Sequence, residues 1–381
     1  MTSSYAAQTT ELLKLRFFDL DVYIRSDART YVDLLARMYR RFQADGDSPS
    51  VQPPVEFAVL TQADNAWGQP VLVLDGQVHP LHDPRLLVGY VYQSVLCAIL
   101  ARVRSHSLIH GGAVACNGQG IVLAADSFHG KTTLVLELVR RGFRFLSDDT
   151  AALGRADRRL HPFPRSLRVR PGTLHLAGLS QATTETPQWL GKLLLDIDQI
   201  RPGSLGQAVP IGHIVVLVDP DETGVEGSER RFGVLVDRLD EDLLAAIRHI
   251  EGVTELHADV AHGYPLLQLR AARRTFLFSQ IEALCQARRI QVLDVITGPA
   301  GQPTFAAPAR LEAISRSQAV VELLRRFQGG HKSAILDEFG GHSTRLFMEL
   351  AAIVGQTSCH RLFVGTLHQM ADLVCGLVDA R

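Results

Sequence analysis

The sequence predicts an α/β fold: a larger core over residues 105–381, preceded by a smaller α+β domain over residues 1–104. Three observations predict it. Short apolar runs alternate with amphipathic helical runs along most of the chain. One stretch, residues 108–151, reads strand, tight turn, strand, loop, helix, strand. The chain has 381 residues and is 46% apolar, enough for one large domain or two ordinary ones with a packed interior.

The smaller domain comes first. Leu13 to Arg25 alternates well enough to read as one strand. Ala28 to Phe42 carries helical spacing at Tyr31, Leu34, Leu35, Met38 and Phe42, with Ser26 and Asp27 as candidate N-caps. Pro53-Pro54 breaks the chain. Val55 to Leu60 and Pro70 to Leu74 read as strands, and Asp75-Gly76 is a hairpin signal. Leu86 to Val103 is the longest apolar stretch, but Gln93, Ser94 and Arg102 interrupt it, so it reads as a buried helix rather than a membrane span. Nothing in this domain carries chemistry. It reads as a packing or dimerisation module, with recognition of an acceptor or partner as the alternative.

The core opens on the stretch that organises the chain. Asn117-Gly118-Gln119-Gly120 is a hairpin signal between two apolar strands. Ile121 to Ala125 runs into Asp126-Ser127-Phe128-His129-Gly130-Lys131-Thr132-Thr133. A helical run follows, Leu134 to Arg141, stopped by Gly142. The next strand, Phe143 to Ser147, ends in Asp148-Asp149.

This is the pattern of a phosphate-binding loop, G-x-x-x-x-G-K-[ST], with Ala125 in place of the first glycine. Backbone N–H groups of residues 126–133 point at an anion at the helix start. Lys131 reaches the β- and γ-phosphates, and the Thr132 hydroxyl ligates Mg²⁺. Asp148 and Asp149 sit where a carboxylate holds the metal or takes a proton from an acceptor hydroxyl. A glycine-capped turn before an ordinary helix explains Gly130 but not Lys131-Thr132-Thr133 with two aspartates downstream. If Cys116 sits opposite Gly120 or Ile121, His110 lies opposite Asp126 or Ser127, beside the start of the loop.

These residues resemble the kinase core of HPr kinase/phosphorylase and its wider relatives. His110-Gly111, Asp126-Ser127, Gly130-Lys131-Thr132, Arg141-Gly142 and Asp148-Asp149 match that family's motifs in order and spacing, and Ala125 and Phe128 replace its two other loop glycines. The resemblance covers about forty-five residues, on this count of motif spacing. It implies a phosphoenolpyruvate carboxykinase-like P-loop core that uses ATP and Mg²⁺. It favours Asp148 as the base and Asp149, with Thr132, as the metal partner, and it implies a homo-oligomer. His110 would polarise the aspartate or contact the γ-phosphate. A Glu/Arg signature found before an apolar-Asp step in HPr kinases proper is not reproduced before Leu195-Asp196, where Glu185, Gln188 and Lys192 stand. The resemblance therefore implies a diverged member rather than a true HPr kinase.

The rest of the chain is plainer. Arg165, Arg168 and Arg170 read as solvated loop residues, with a grip on phosphate or carboxylate as the alternative. Ile211 to Val218, Val253 to Val260, Pro265 to Arg270, Ile290 to Ile296 and Cys359 to Val364 read as strands. Leu239 to Ile250, Phe276 to Arg288, Ala319 to Phe327, Leu346 to Val354 and Leu367 to Val378 read as helices. Asp221 to Gly227 and Gly298 to Pro308 read as loops, and Gln328-Gly329-Gly330-His331-Lys332 as a Gly-rich joint. His331, His342, His360 and His368 lack metal-ligand spacing.

A net charge of −1 argues against nucleic acid or an anionic membrane as partner. Five cysteines without a CxxC suggest neither a disulfide framework nor a zinc site, and the N-terminus lacks a secretory pattern, so the expected compartment is the cytoplasm. The expected activity is a kinase that moves the γ-phosphoryl of ATP to a hydroxyl on a peptide, protein or small metabolite. The alternative is a nucleotide-binding regulatory module without transfer. A carboxykinase-like lyase would need a further metal-binding Lys/His set and an upstream carboxylate-binding Arg, which the sequence does not offer.

Overall fold

Alternation of buried residues changes parity at Phe18-Asp19: Leu13, Leu15 and Phe17 point inward, then Leu20, Val22 and Ile24. In the structure, a computed structural model, the expected single strand is therefore a hairpin of β1 (Glu11–Phe17) and β2 (Leu20–Ser26). Phe17 pairs with Leu20, and Phe18 adopts a left-handed φ of 59° in the two-residue turn. A two-residue connection is what a change of parity requires on a surface of period two. The described residues are 9–44, 52–62, 65, 67–81, 83–125, 129–169, 173, 188–218, 230–271, 275–297, 308–328 and 342–379.

The chain forms two compact units. The first takes Met1–Ser107, Gly154–Ala156 and Phe163–Gly203. Helix α1 (Arg29–Met38) links β2 to a parallel neighbour, β3 (Val55–Leu60). Antiparallel β4 (Val71–Leu74) and β5 (Gln77–Pro80) complete a five-stranded sheet in sequence order. Helix α2 (Leu87–Arg102) ends this part. The segment Pro84–Arg102 is long and apolar enough to cross a membrane by length and composition. Here Val91, Tyr92, Val95 and Ile99 are buried within the unit, as expected of a core helix.

The same unit holds a small sheet of β11 (Leu167–Val169), β12 (Gln188–Trp189) and β13 (Lys192–Leu195), followed by the short helix α4 (Ile197–Ile200). Arg40 and Arg41 fork onto Asp196 and Asp198 at 2.6–3.1 Å. Arg165 is not solvated. It is 5% exposed, stacks on Phe163 and Tyr92, and donates to the Tyr92 hydroxyl at 3.2 Å. Arg168 lies in β11, and Arg170 falls outside the described residues.

The second unit takes Leu108–Leu153, Asp157–Pro162 and Ser204–Arg381. Its sheet is built on the long strand β6 (His106–Cys116) and β7 (Gln119–Ala124). Asn117 and Gly118 turn between them at φ of 50° and 75°, the left-handed pair of a type I′ turn. Cys116 pairs with Gln119, a tighter register than Gly120 or Ile121. Extended past Gly111–Ala124, that register sets His110 level with Ala125, one residue short of the loop.

Strand β14 (Val209–Val218) lies parallel to both β7 and β20 (Ser358–Phe363), and β19 (Arg310–Ala313) closes that edge. On the other side β6 pairs with β8 (Arg144–Ser147) and neighbours β9 (Thr150–Gly154), which pairs with β10 (Arg159–His161). Alternate residues serve two faces. Ala113, Val122, Ala124, Ile214 and Val216 pack with Leu323 of α7 (Arg316–Arg325) and Leu350 of α8 (His342–Val354). Gly112 faces Val135 of α3 (Lys131–Arg140). The fold is mixed α/β, and its apolar strands are buried on both sides as a parallel core requires.

Between β14 and β19 lies a run of six elements, of which the sequence reading found all but the first strand. It runs β15 (Arg230–Val236), α5 (Glu241–Arg248), β16 (Val253–Ala261), β17 (Tyr264–Ala271), α6 (Thr275–Ala287), β18 (Val292–Thr297). Its antiparallel sheet has the order β16-β17-β15-β18, a split β-α-β arrangement with its own core of Val234, Leu243, Ile247, Leu267 and Ile281. Helix α9 (Leu367–Asp379) ends the described chain. The expected loop at Asp221 to Gly227 lies outside the described residues, as does most of the one at Gly298 to Pro308.

Candidate functional site

The site is assembled at the start of α3, where the chain leaves the parallel strand β7. Gly130 takes a left-handed φ of 72°, which turns the chain so that the helix begins at Lys131. The first helical bond runs from Leu134 N to Gly130 O at 2.8 Å. Lys131, Thr132 and Thr133 therefore occupy the first turn, where backbone N–H groups have no helical acceptor and an anion is favoured. Asp126, Ser127 and Phe128 lie outside the described residues. Helix α3 is fixed at its far end: Glu137 takes both Arg140 and Arg141 at 2.7 Å, and Arg141 reaches Asp372 of α9 at 2.6 Å. The hydrogen bond from Arg140 leads in holding the Glu137 carboxyl below the usual range, against its burial.

Lys131 turns back under the strands and is 7% exposed. Its Nζ lies 2.8 Å from His110 Nε2, 3.4 Å from Ala125 O and 3.5 Å from Asp149 Oδ1. The same carboxylate oxygen is 3.5 Å from His110 Nδ1. A buried ammonium needs such partners, because desolvation of an isolated one is prohibitive. His110 comes from β6, whose Gly111 N–H donates to Asp149 O at 3.1 Å. That bond helps set Asp149 beside Lys131 at the start of α3. Gly112 makes the approach feasible: a Cβ there would lie 2.5 Å from Val135 Cγ2 and 3.5 Å from Lys131 Cγ.

The structure thus brings His110, Lys131 and Asp149 together, with Asp148 next in chain and 6% exposed. Thr132 and Thr133 are half-buried in the first turn, and His129 just precedes it. Among the described residues no three His, Cys, Asp or Glu side chains cluster as metal ligands.

One participant escaped sequence reasoning. Gln328, 7% exposed, places its amide 3.1 Å from His110 Nδ1 and 3.0 Å from Thr150 Oγ1. Residues 326–328 run along β6: His110 N donates to Arg326 O at 2.6 Å, and Gln328 N to Leu108 O at 2.8 Å. In sequence Gln328 opens a glycine-rich joint, so only its place as a polar residue directly after the expected helix Ala319 to Phe327 marked it.

No protein-family model matches the chain. Over 70 residues it is 33% identical to an HPr kinase/phosphorylase of Limosilactobacillus reuteri, which is 18% of this chain and 22% of that protein. Over 110 residues it is 28% identical to an HPr kinase/phosphorylase of Levilactobacillus brevis, 29% of this chain and 31% of that one. The chain therefore spans between a fifth and a third of the length of these curated relatives. A solved structure, the Hpr(Ser) kinase/phosphatase from Coxiella burnetii, is 15% identical and covers 48% of this chain and 90% of its own, with a TM-score of 0.21, too low to equate the two folds. Over the segments shared with the curated relatives, the chain is similar to HPr kinase/phosphorylases.

Proposed function

We propose that the chain is an ATP-dependent kinase whose second unit is a P-loop core of the phosphoenolpyruvate carboxykinase kind. The observation that carries this is the seat of Lys131: a buried lysine at the first turn of a helix, against His110 and Asp149, at the end of a parallel strand. Lys131 and the first-turn N–H groups would hold the β- and γ-phosphates. The acceptor hydroxyl oxygen attacks the γ-phosphorus, the bond to the β–γ bridging oxygen breaks, ADP leaves, and the hydroxyl proton passes to Asp148. Asp149 and Thr132 offer hard oxygen donors that fit Mg²⁺, which takes one or two protein ligands and the rest from phosphate and water. When bound, Mg²⁺ neutralises charge on the phosphates. The acceptor is a hydroxyl of a peptide, a protein or a small metabolite.

A second reading has an observation of its own. Lys131 is engaged with His110, Ala125 and Asp149 inside the protein, and Ala125, in place of a loop glycine, is fully buried. A nucleotide-binding regulatory module without transfer would keep this arrangement. ADP release with Mg-ATP and pools of hydroxyl acceptors separates the two. The kinase reading expects release that rises with acceptor and is lost in Asp148→Asn. Tight Mg-ATP binding without turnover in any pool selects the module.

A further inference from the structure

We infer that strand β16 is a self-association edge: a second copy of this chain adds its own β16 antiparallel, and the two four-stranded sheets join into one. The residues concerned take no part in the phosphate site.

Strand β16 ends its sheet, and among the described residues it pairs only with β17. It is exposed along most of its length, and Val260 is 70% exposed. The turn decides which backbone groups face the open side. His262 and Gly263 take left-handed φ of 57° and 83°, a two-residue type I′ hairpin, so the flanking pair Ala261–Tyr264 exchanges hydrogen bonds. Alternation then spends the N–H and C=O of Asp259 and His257 on β17 and points those of Val260, Ala258 and Leu256 outward. The Val260 N–H agrees, since it donates to the Asp259 carboxylate at 2.8 Å. Open edges are ordinarily blunted by proline, lysine or a bulge. Leu256 to Val260 holds neither Pro nor Lys, and the register shift of β16 lies earlier, between Val253 and Glu255.

This edge is complementary to itself about Ala258. A two-fold axis there sets Ala258 against Ala258 of the second copy, Leu256 against Val260, and His257 against Asp259. Every outward N–H and C=O from Leu256 to Val260 then finds a partner. Leu256 packs on the apolar core of this sheet and its helices, so the exposed Val260 of one copy extends the interior of the other. His257 and Asp259 lie on the opposite face and are both exposed. They meet in a non-hydrogen-bonded pair, where side chains approach most closely and an imidazole N–H reaches a carboxylate. Asp259 gives up its bond to Val260 N, which turns to the backbone of the second copy, and keeps Gln268 at 3.2 Å.

The adjacent registers fail. One step back opposes Glu255 to Asp259, and one step forward opposes Asp259 to itself; like charges directly opposite destabilise a pair. A two-fold contact also uses up the edge, so association stops at a dimer.

The test is the solution mass of the full chain by light scattering over a concentration series. The wild type should be a dimer at micromolar concentration and dissociate on dilution. Val260→Lys should raise the dissociation constant at least about ten-fold. His257→Asp should act likewise by opposing two carboxylates, and adding Asp259→His should restore the dimer, because the pair survives with its ends exchanged. Ala258→Cys should form an intermolecular disulfide on mild oxidation, since Cα atoms opposed in a hydrogen-bonded pair lie about 5.5 Å apart. The wild type, with its exposed Cys97, is the control for that cross-link. A wild type that stays monomeric up to about 0.1 mM overturns the proposal. So does a dimer indifferent to Val260→Lys, one that the exchanged pair does not restore, or one without the Ala258→Cys cross-link. A monomer that instead takes up an extended peptide, and loses it in Val260→Lys, overturns it in favour of strand addition by a peptide.

Discussion

The Nζ of Lys131 and the Nε2 of His110 lie 2.8 Å apart, joining the first turn of a helix to a strand 21 residues earlier in the chain. This contact depends on close packing of α3 against β6, which the absence of a side chain at Gly112 permits.

Gly112→Ala should therefore disturb the site from below. The new Cβ would press on Val135 and lie against the Lys131 stem. Overpacking of a dense interior costs about 1–3 kcal/mol. Urea unfolding of the two proteins measures it. A Gly112→Ala protein as stable as the wild type would show that α3 yields freely and that the packing does not fix Lys131.

Legibility followed the range of the interactions. The β7 strand, the helix stop at Gly142 and the β4–β5 hairpin were readable because local residues decide them. The single strand expected at Leu13 to Arg25 failed because a left-handed Phe18 carries no turn signature, and only the parity change betrays it. Strands β10, β15 and β19 were missed: β10 and β19 are short, and β15 begins with two arginines. Of the cluster, His110, Lys131 and Asp149 were legible from motif spacing. Gln328 was not, because a pairing with His110 218 residues away leaves no local periodicity. Arg165 read as a surface residue since one of its two rings, Tyr92, stands 73 residues earlier in the chain.

Acid should act on the first unit through Asp196. Burial pushes this carboxyl up, but Arg40 and Arg41 outweigh it and hold the group below its usual range. A depressed folded pKa contributes stability above the unfolded value of about 3.9, and the contribution fades as pH falls through the folded value. Asp196→Asn keeps the helix cap and removes the charge. It should lower stability near neutral pH by roughly 1 kcal/mol, discounted because Arg40 is 46% exposed. It should also lose less than the wild type on acidification. Urea midpoints of both proteins from neutral pH down through the carboxylate range check this; parallel curves would refute it.

Thiol labelling should separate two cysteines. Burial pushes Cys285 up to about 11, and its residue is 1% exposed. Cys97 is exposed. Near pH 8 only about one thiol in a thousand is ionised at such a pKa, and closure of the core slows access further. Iodoacetamide with mass-spectrometric readout should modify Cys97 at least about 100-fold faster in the native protein. Comparable rates would mean that the α5–α6 unit opens readily.

The central claim is that Lys131 and the helix start form a nucleotide phosphate site. The most direct measurement is the melting temperature with and without Mg-ATP, for the wild type and for Lys131→Met, which keeps the length of the side chain and removes the charge. Ligand at a hundred times its dissociation constant adds about 2.7 kcal/mol, a rise of a few degrees for a chain of this size. The account predicts that rise in the wild type and its loss in Lys131→Met. No rise in a folded wild type, or an equal rise in both proteins, would contradict it.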